Sequence, residues 1–574
     1  MGAREWGSPA RRGGRALLDG GTPVTNLAAL VRQSAEAHPD RVALVCGARR
    51  MTWAELDAAV DAAAAALTGA GLVAGFRVAL ALVNSVEFVS AYFGALRAGL
   101  VAVPIDPTSG ADEVSAALTS VRARMVLTDA TSIAAVRTAV GDRDPAHDAD
   151  PTLVVPLGIP AEAGERHYDE LLASASSAPV VPPADPETLA AVLFTSGTTE
   201  APRAVMLTHR ALRANLDQIA AIEPPPMRHE DVVLGLMPLC HVYGLNGVLG
   251  MVVHAGATLV LVDRFDPAAT LDLIAQEKIT QLPVVPQVLA SWARQEDLAG
   301  RLAGVRLVVS GAAPLPPSVR HDIEERTRLV VQEGYGLTEA APTVTSTLCS
   351  AGAGAAAGVK PGSVGAPLPG IELRIVDDAG NDVEPGEPGE ILVRGDNLFS
   401  GYWPDGAGAP GEKGWFATGD VGYLDPDGDL VLVDRLKELI TVSGFSVYPR
   451  EVEDVIVELD SVAEAAVVGM SDPLTGEAVK AYVVPRVGRQ VTPEEVLTYC
   501  DSRLARFKRP SVVAVVDALP RSVSGTVAKA RLRFVQPASE RPDPERPNSE
   551  RPNSGRAAAA PDDAAHGGPS SAGL

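Results

Sequence analysis

From Thr25 onward the chain alternates two hydrophobic periods. Val78–Val83 and Val101–Ile105 are apolar at nearly every position and predict buried strands, while the stretch between them containing Glu87–Leu96 predicts a helix. Alternation of this βαβ kind implies a parallel sheet covered by helices. Thr52-Trp53-Ala54-Glu55 has the spacing of a capping box, in which a hydroxyl and a carboxylate three residues apart satisfy each other's backbone N–H groups. An Ala-rich helix is therefore expected from there to about Gly69–Gly71. The longest apolar run, Gly244 to Val262, contains Asn246, His254 and several glycines, so it predicts a buried strand–helix segment and no integral membrane segment. Leu189–Phe194, Val305–Val309 and Leu329–Gln332 also read as strands. Each runs into a segment rich in glycine and small or hydroxyl residues, at the strand end where open α/β sheets build their sites.

The scale of the pattern changes near Asp434. Val452, Val455, Ile456 and Leu459 mark one face of a helix. Thr492-Pro493-Glu494-Glu495 combines an N-cap, an N1 proline and an N3 glutamate, which predicts a helix start. The expected organisation is α/β. A large N-terminal domain with parallel-rich sheets and helices occupies 25–434, and a small α+β domain occupies about 438–536. Residues 1–24 are Gly/Arg-rich and expected to be loose. After Gln536 the composition falls to Pro, Ser, Asn, Arg and Ala, and Glu-Arg-Pro recurs at 540–542, 545–547 and 550–552. Such a tail, 537–574, has too little apolar surface to bury and is expected to be disordered. Gly/Ala-rich Ser350–Gly358 predicts a surface loop.

Composition narrows the class. The chain has 574 residues, 46% of them hydrophobic, enough for roughly three or four domains' worth of core. A net charge of −23 argues against nucleic acid as a partner. Cys46, Cys240, Cys349 and Cys500 lie far apart without metal-ligand spacing, which fits a reducing cytoplasm. The N-terminus carries arginines but no apolar signal core, so no secretion signal is expected.

The chemistry concentrates first at Ala191–His209. Its strand-like run ends at Phe194 and opens into Thr195, Ser196, Gly197, Thr198 and Thr199, followed by the cation Arg203. Backbone N–H groups of such a loop can converge on an anion, and the hydroxyls and guanidinium add donors for phosphate oxygens. No Gly-Lys-Ser/Thr opens a helix after it, so it is not a Walker loop.

The order of residues here resembles the phosphate loop of the adenylate-forming enzymes, the superfamily of acyl-CoA synthetases, peptide-synthetase adenylation domains and luciferases. Four further segments extend the resemblance in the family's order. Ser310-Gly311-Ala312-Ala313-Pro314-Leu315 is similar to the adenine-contacting segment. Gly334-Tyr335-Gly336-Leu337-Thr338-Glu339 is similar to the adenine-stacking and magnesium motif. Gly414-Trp415-Phe416-Ala417-Thr418-Gly419-Asp420 resembles the segment whose aspartate holds the ribose hydroxyls, and Asp434-Arg435-Leu436-Lys437-Glu438-Leu439-Ile440 resembles the hinge.

The resemblance implies ATP and Mg2+ as cofactors, with a two-step reaction. A carboxylate attacks the α-phosphate of ATP and releases pyrophosphate; a thiol, of CoA or of an acyl carrier protein, then attacks the acyl-adenylate and releases AMP. It implies that Glu339 anchors the metal, a hard cation that prefers carboxylate oxygen. Thr338 would donate to the α-phosphate, Tyr335 would stack on adenine beside Gly336 and Leu337, Asp420 would accept both ribose hydroxyls, and Arg435 would approach the ribose and phosphates. Lys437 would be the hinge, at 435–437, about which a mobile small domain swings between half-reactions. Pro238-Leu239-Cys240-His241-Val242-Tyr243-Gly244 resembles the segment lining the acyl pocket, which gives His241 a site role. Amino-acid-activating relatives place an aspartate nearby to hold the α-amine. None occurs in the matching stretch, so a plain carboxylic acid, of the fatty acid type, is expected. Ser443-Gly444-Phe445 resembles the strip that the pantetheine arm passes, and Lys508-Arg509 would meet phosphates of CoA or acidic residues of a carrier protein.

The chain also departs from the family. Glu200 and Ala204 stand where glycine is usual, and Arg203 stands where lysine is usual, which keeps the charge but changes its geometry. In the last motif, Leu519 to Arg533, Thr526 occupies the position of the lysine that bridges carboxylate and α-phosphate during adenylation. Losing a preorganised donor of that kind typically costs on the order of 10²–10³ in rate. Lys529 lies three residues on and would face away from Thr526 in an extended segment. The readings that follow are an acyl-CoA synthetase with weakened adenylation, a ligase loading an acyl carrier protein, or a catalytically weak protein that binds an adenylate or acyl-CoA.

Overall fold

The computed structural model describes residues 26–141, 151–175, 180–195, 203–351, 359–360, 362–435, 438–442, 445–472, 475–521 and 527–532. The Ala-rich helix runs Trp53–Gly69, and its capping box forms as the spacing predicts: Glu55 N donates to Thr52 Oγ1 at 3.2 Å, and Thr52 N donates to Glu55 Oε2 at 2.7 Å. The helix buries Trp53, Leu56, Val60 and a run of alanines. Those alanines allow the helix Val86–Arg97 to approach so closely that a Cβ on Gly94 would sit 2.6 Å from the Ala63 Cβ.

The predicted buried strands form as Arg77–Ala81 and Val101–Pro104. They lie in a six-stranded sheet in the order Leu153–Pro156, Met125–Thr128, Arg77–Ala81, Val101–Pro104, Leu189–Phe194, Ala204–Thr208. All neighbours are parallel except the last pair, a hairpin. A nine-stranded sheet is parallel from Val331–Gly336 through Leu307–Ser310, Gln281–Val284, Val232–Gly235 and Thr258–Leu261 to Val42–Cys46, and antiparallel at both margins. Beside these, Glu372–Val376, Gly389–Arg394, Phe416–Leu424 and Leu430–Arg435 form an antiparallel four-stranded sheet. The architecture is a large N-terminal α/β domain of parallel-rich sheets, followed by a smaller domain around a five-stranded sheet that includes Val462–Asp472 and Gly476–Pro485 and has its own core of Val452, Ile456, Val467 and Val483.

Four sequence expectations are revised. The strand foreseen at Leu329–Gln332 is Val331–Gly336 and runs through the Gly334-Tyr335-Gly336 motif, because Gly334 to Gly336 pair with Thr343–Ser346. Gly336 is required there: a Cβ would lie 2.2 Å from the Pro342 carbonyl oxygen. The apolar run after Gly244 is helix before strand, a π-helical Tyr243–Gly250 leading through Met251–Ala255 to the strand Thr258–Leu261. No helix among the described residues is long and apolar enough to cross a membrane. Thr492 caps the helix Pro493–Asp501 as expected, but the Glu495 carboxylate accepts a bond from Ser461 Oγ at 3.0 Å, tying the helix to the turn before the strand Val462–Asp472. Leu459 lies past the end of the helix Pro449–Val457, whose buried face is Val452 and Ile456. Most of the Ser350–Gly358 loop lies outside the described residues.

His209 opens the helix His209–Ala220 and is almost wholly buried; its Nδ1 accepts the Leu27 N–H at 3.1 Å. Burial lowers the imidazole pKa from 6.5 to about 4. The unfolded chain takes up this proton near pH 6.5 and the folded chain only near 4, so stability falls as the pH drops through that window. The full effect is on the order of 3 kcal/mol. Urea unfolding at pH 7 and pH 4.5 should show a larger acid loss for the wild type than for His209→Gln, which keeps an acceptor for Leu27. An equal loss in both proteins would remove His209 as the cause.

Candidate active site

The hairpin of Leu189–Phe194 and Ala204–Thr208 carries the hydroxyl-rich loop at its tip. Its stem is closed by Thr195, whose N–H and hydroxyl both meet the Arg203 carbonyl, at 3.0 and 3.4 Å. Ser196, Gly197, Thr198, Thr199 and Glu200 lie outside the described residues. On its other side Ala204–Thr208 pairs with a strap. Trp403 N donates to Ala204 O at 2.8 Å, Met206 N to Gly401 O at 3.1 Å and Ser400 N to Met206 O at 3.0 Å. Tyr402 is fixed by this pairing, and its sharp approach needs Gly401, where φ is +93° and a Cβ would strike the Gly406 carbonyl at 2.2 Å.

Tyr402 joins two of the predicted site residues. The Arg203 guanidinium carbon lies 3.4 Å from its ring centroid, a cation–π stack that a planar guanidinium makes well. Its hydroxyl donates to Glu339 Oε1 at 2.7 Å. Burial and the neighbouring carboxylate push this phenol's pKa up, so it stays a donor. Glu339 sits in the short 3₁₀ turn Thr338–Ala340, immediately after Leu337. The same strap holds the turn's backbone: Phe399 N donates to Glu339 O at 2.9 Å and Asn397 Nδ2 to Ala340 O at 2.7 Å.

A second pair forms four residues earlier on the chain. The Tyr335 hydroxyl donates to Asp420 Oδ2 at 2.6 Å, bringing the proposed adenine and ribose contacts together. Asp420 lies on Phe416–Leu424, opposite Arg435 in the strand register, and Thr418 Oγ1 accepts its N–H.

The segment expected to line the acyl pocket reaches the segment expected to contact adenine through Tyr243, whose hydroxyl donates to Val309 O at 3.3 Å and whose ring would lie 3.5 Å from a Cβ on Gly311. Gly311 is tied to Val284 O, Ala312 adopts a left-handed φ of 65° uncommon outside glycine, and Ala313 and Pro314 complete the turn. His241 N bonds Pro238 O, and His241 Nδ1 accepts the Tyr243 N–H at 3.3 Å. The ring proton is therefore assigned to Nε2. Burial lowers the His241 pKa to about 4 and raises that of Cys240 to about 12, leaving both neutral near pH 7. Asn84 pins this segment, donating to Gly235 O, Met237 O and Val262 O and accepting from Leu239 N.

Sequence reasoning did not single out Tyr402 or Asn84. The signal for Tyr402 was slight, a glycine beside an aromatic at Gly401-Tyr402-Trp403, and nothing local marks Asn84.

The residues expected to meet the thiol stay within the small domain. Lys508 Nζ lies 2.6 Å from both oxygens of Glu451, and Arg509 bonds Asp501 at 2.7 Å. Phe445 is exposed and stacks on Phe507 with centroids 4.9 Å apart. Ser443, Gly444, Lys437 and Thr526 lie outside the described residues. Lys529 opens the short helix Lys529–Leu532, with Nζ 2.8 Å from Glu438 Oε2 and 2.9 Å from Glu453 Oε1.

Among the described residues no group of three or more His, Cys, Asp or Glu could cage a metal. The donor set nevertheless suits magnesium, which keeps several waters and binds through one or two carboxylates plus substrate phosphates. Glu339 supplies such a carboxylate, and its Oε2 has no hydrogen-bond partner among the described residues.

Residues 31–403 match the AMP-binding enzyme family, and residues 451–526 match the AMP-binding enzyme C-terminal domain. The chain is 34% identical over 504 residues to 4-coumarate–CoA ligase 5 of Oryza sativa subsp. japonica, covering 86% of this chain and 91% of that protein. It is 32% identical over 543 residues to the long-chain-fatty-acid–CoA ligase of Bacillus subtilis, covering 89% and 94%. The crystal structure of ATP-bound MatB from Rhodopseudomonas palustris superposes with a TM-score of 0.79 at 30% identity, covering 89% of this chain and 98% of that one. With its phosphate-loop stem, Tyr335–Asp420 pair and Glu339 turn assembled on this fold, the chain belongs to the AMP-binding enzyme family, in the adenylate-forming acyl-CoA synthetase superfamily, as an acid–thiol ligase.

Proposed function

We propose that this chain converts a plain carboxylic acid to an acyl-adenylate and then to an acyl-CoA at the site around the strand and turn Val331–Ala340. The observation that carries the reading is the clustering on one short stretch of an adenosine-side pair, Tyr335 with Asp420, and a metal-side carboxylate, Glu339. In the first half-reaction a carboxylate oxygen bonds to the α-phosphorus of ATP as the bond to the β-phosphate bridge breaks and pyrophosphate leaves. Asp420 accepts from the ribose hydroxyls, Tyr335 faces adenine beside Gly311–Pro314, and Thr195–Thr199, Arg203 and Thr338 donate to phosphate oxygens. Glu339 would hold a magnesium ion, which would supply charge neutralisation for those oxygens.

In the second half-reaction a thiolate sulfur bonds to the acyl carbon as the carbon–oxygen bond to AMP breaks. His241, neutral above about pH 4, offers Nε2–H to an acyl-adenylate oxygen without introducing a second cation. We place the hinge at 435–437 about Lys437, between the large domain of 25–434 and the small domain of 438–536. Ser443, Gly444 and Phe445 line the thiol's path, and Lys508 and Arg509 leave Glu451 and Asp501 to meet its phosphates.

The acid is read as one without an α-amine, because the segment Pro238–Gly244 lacks an acidic partner for it, and as a fatty acid from the resemblance to fatty acid–CoA ligases, which the long-chain-fatty-acid–CoA ligase among its relatives supports. An aromatic acid is the second reading, favoured by the 4-coumarate–CoA ligase among its relatives. Pyrophosphate exchange with a panel of fatty and aryl acids separates them. Product mass with CoA and with an acyl carrier protein separates the acceptors. A protein that only binds adenylate or acyl-CoA would show neither exchange nor product.

Adenylation is read as slow because Thr526 cannot bridge the carboxylate and the α-phosphate, and the pairing of Lys529 with Glu438 and Glu453 supports a structural role for that lysine.

Three outcomes follow from these assignments. Asp420→Ala should weaken ATP binding by about tenfold or more in calorimetry, since it removes a charged acceptor; unchanged affinity would displace the nucleotide site. Lys437→Pro should slow thiolation from preformed adenylate more than it slows adenylate formation, in single-turnover assays; equal slowing would argue against a hinge there. Thr526→Lys should raise carboxylate-dependent pyrophosphate exchange by about tenfold or more while leaving thiolation unchanged. If Thr526→Lys has no effect and Lys529→Ala abolishes exchange, Lys529 is the bridging cation instead.

A further inference from the structure

The cation that replaces the family's usual lysine at the phosphate-loop stem and the carboxylate of the metal turn are contacted by one side chain. Arg203 lies flat on the Tyr402 ring at 3.4 Å, and the Tyr402 hydroxyl holds Glu339 Oε1 at 2.7 Å. Tyr402 has little freedom to do anything else. Its N–H donates to Ala407 O at 2.8 Å and its carbonyl accepts from Gly406 N at 2.9 Å. Its ring packs edge-to-face with Phe399 at 5.0 Å, and a Cβ on Gly408 would lie 2.8 Å from Cε2. The backbone of the Glu339 turn is held by the same strap, through Phe399 and Asn397. Backbone and side chain of Glu339 are therefore both held by the strap, and Oε2 is the carboxylate oxygen with no hydrogen-bond partner among the described residues.

We propose that Tyr402 is a positioning residue for the metal-binding carboxylate. Its hydroxyl occupies Glu339 Oε1 so that Oε2 faces the cation accompanying the nucleotide phosphates, while its ring fixes Arg203 at the stem of the phosphate loop. A preset carboxylate spares the rotamer ordering that cation binding would otherwise demand. The stack also accounts for arginine at this position: a planar guanidinium covers the ring face, where an ammonium is a compact point charge on a flexible stem.

The proposal rests on the reading of Glu339 as the metal carboxylate, and the experiment separates the two. ATP binding to the full chain is measured by calorimetry with excess Mg2+ and with EDTA, and the ratio of the two affinities gives the Mg2+-dependent gain. Tyr402→Phe keeps the ring, the Phe399 contact and the Arg203 stack but loses the donor. It should reduce the gain by about tenfold, the value of a lost hydrogen bond to a charged group, and leave binding in EDTA unchanged. Glu339→Gln should abolish the gain, and adding Tyr402→Phe to Glu339→Gln should change nothing further, the non-additivity expected of one residue acting through another. A full gain in Tyr402→Phe together with its loss in Glu339→Gln would overturn the positioning role alone. A full gain in Glu339→Gln would overturn the metal reading and the proposal with it. Equal weakening of Tyr402→Phe with and without Mg2+ would mark Tyr402 as merely structural. If Tyr402→Phe does not fold, the same comparison on Tyr402→His, which retains a ring and a donor, must keep part of the gain for the proposal to stand.

Discussion

A buried backbone segment has to find partners for its N–H and C=O groups, and the stretch from Asn397 to Trp403 finds them on two sheets at once. Ser400 N and Trp403 N donate to the strand Ala204–Thr208 of the six-stranded sheet, while Phe399 N, helped by the Asn397 side chain, donates to the turn that follows Val331–Gly336 of the nine-stranded one. Leaving such groups unpaired away from water costs roughly 1–3 kcal/mol each, so the strap pulls the phosphate-loop stem and the Glu339 turn into one fixed relation. The Tyr335–Asp420 bond adds a third tie, from the nine-stranded sheet to the antiparallel four-stranded one.

The site's electrostatics follow from that arrangement. Arg203 and Glu339 are opposite charges that do not pair directly; Tyr402 stands between them, stacked by one and bonded to the other. A direct salt bridge would have used up both groups, whereas the aromatic spacer leaves a carboxylate oxygen and a guanidinium edge for ligands. Nearby, burial keeps His241 and Cys240 uncharged, so these two side chains of Pro238–Gly244 add no charge near neutral pH.

The small domain organises its cations differently. Lys508, Arg509 and Lys529 each face carboxylates of their own domain, at Glu451, Asp501, and Glu438 with Glu453. The Lys529 cluster joins the last described helix to Glu438 and to the helix Pro449–Val457, whose Glu453 also accepts the Val467 N–H. Exposed pairs such as Lys508–Glu451 are weak enough to exchange for other anions, while the more enclosed Lys529 cluster is better suited to hold the domain together.

Much was legible in the chain because it is encoded locally. The capping box at Thr52, the N-cap at Thr492, the strand Leu189–Phe194 and the order of the ligand-loop motifs each depend on residues within a few positions of one another. Strand continuation through Gly334-Tyr335-Gly336 was not legible, because glycine-rich sequence reads as a turn until a partner strand, Thr343–Ser346, supplies the ladder. Nor was Glu495's choice of Ser461 over its own helix end. Local sequence marked the residues proposed to carry the nucleotide and metal chemistry and the strand ends that present them. Only the tertiary structure decided that Tyr402 and Asn84 belong to the site, because their partners lie 63 residues away at Glu339 and 155 away at Leu239, and no local period reports a contact across that separation.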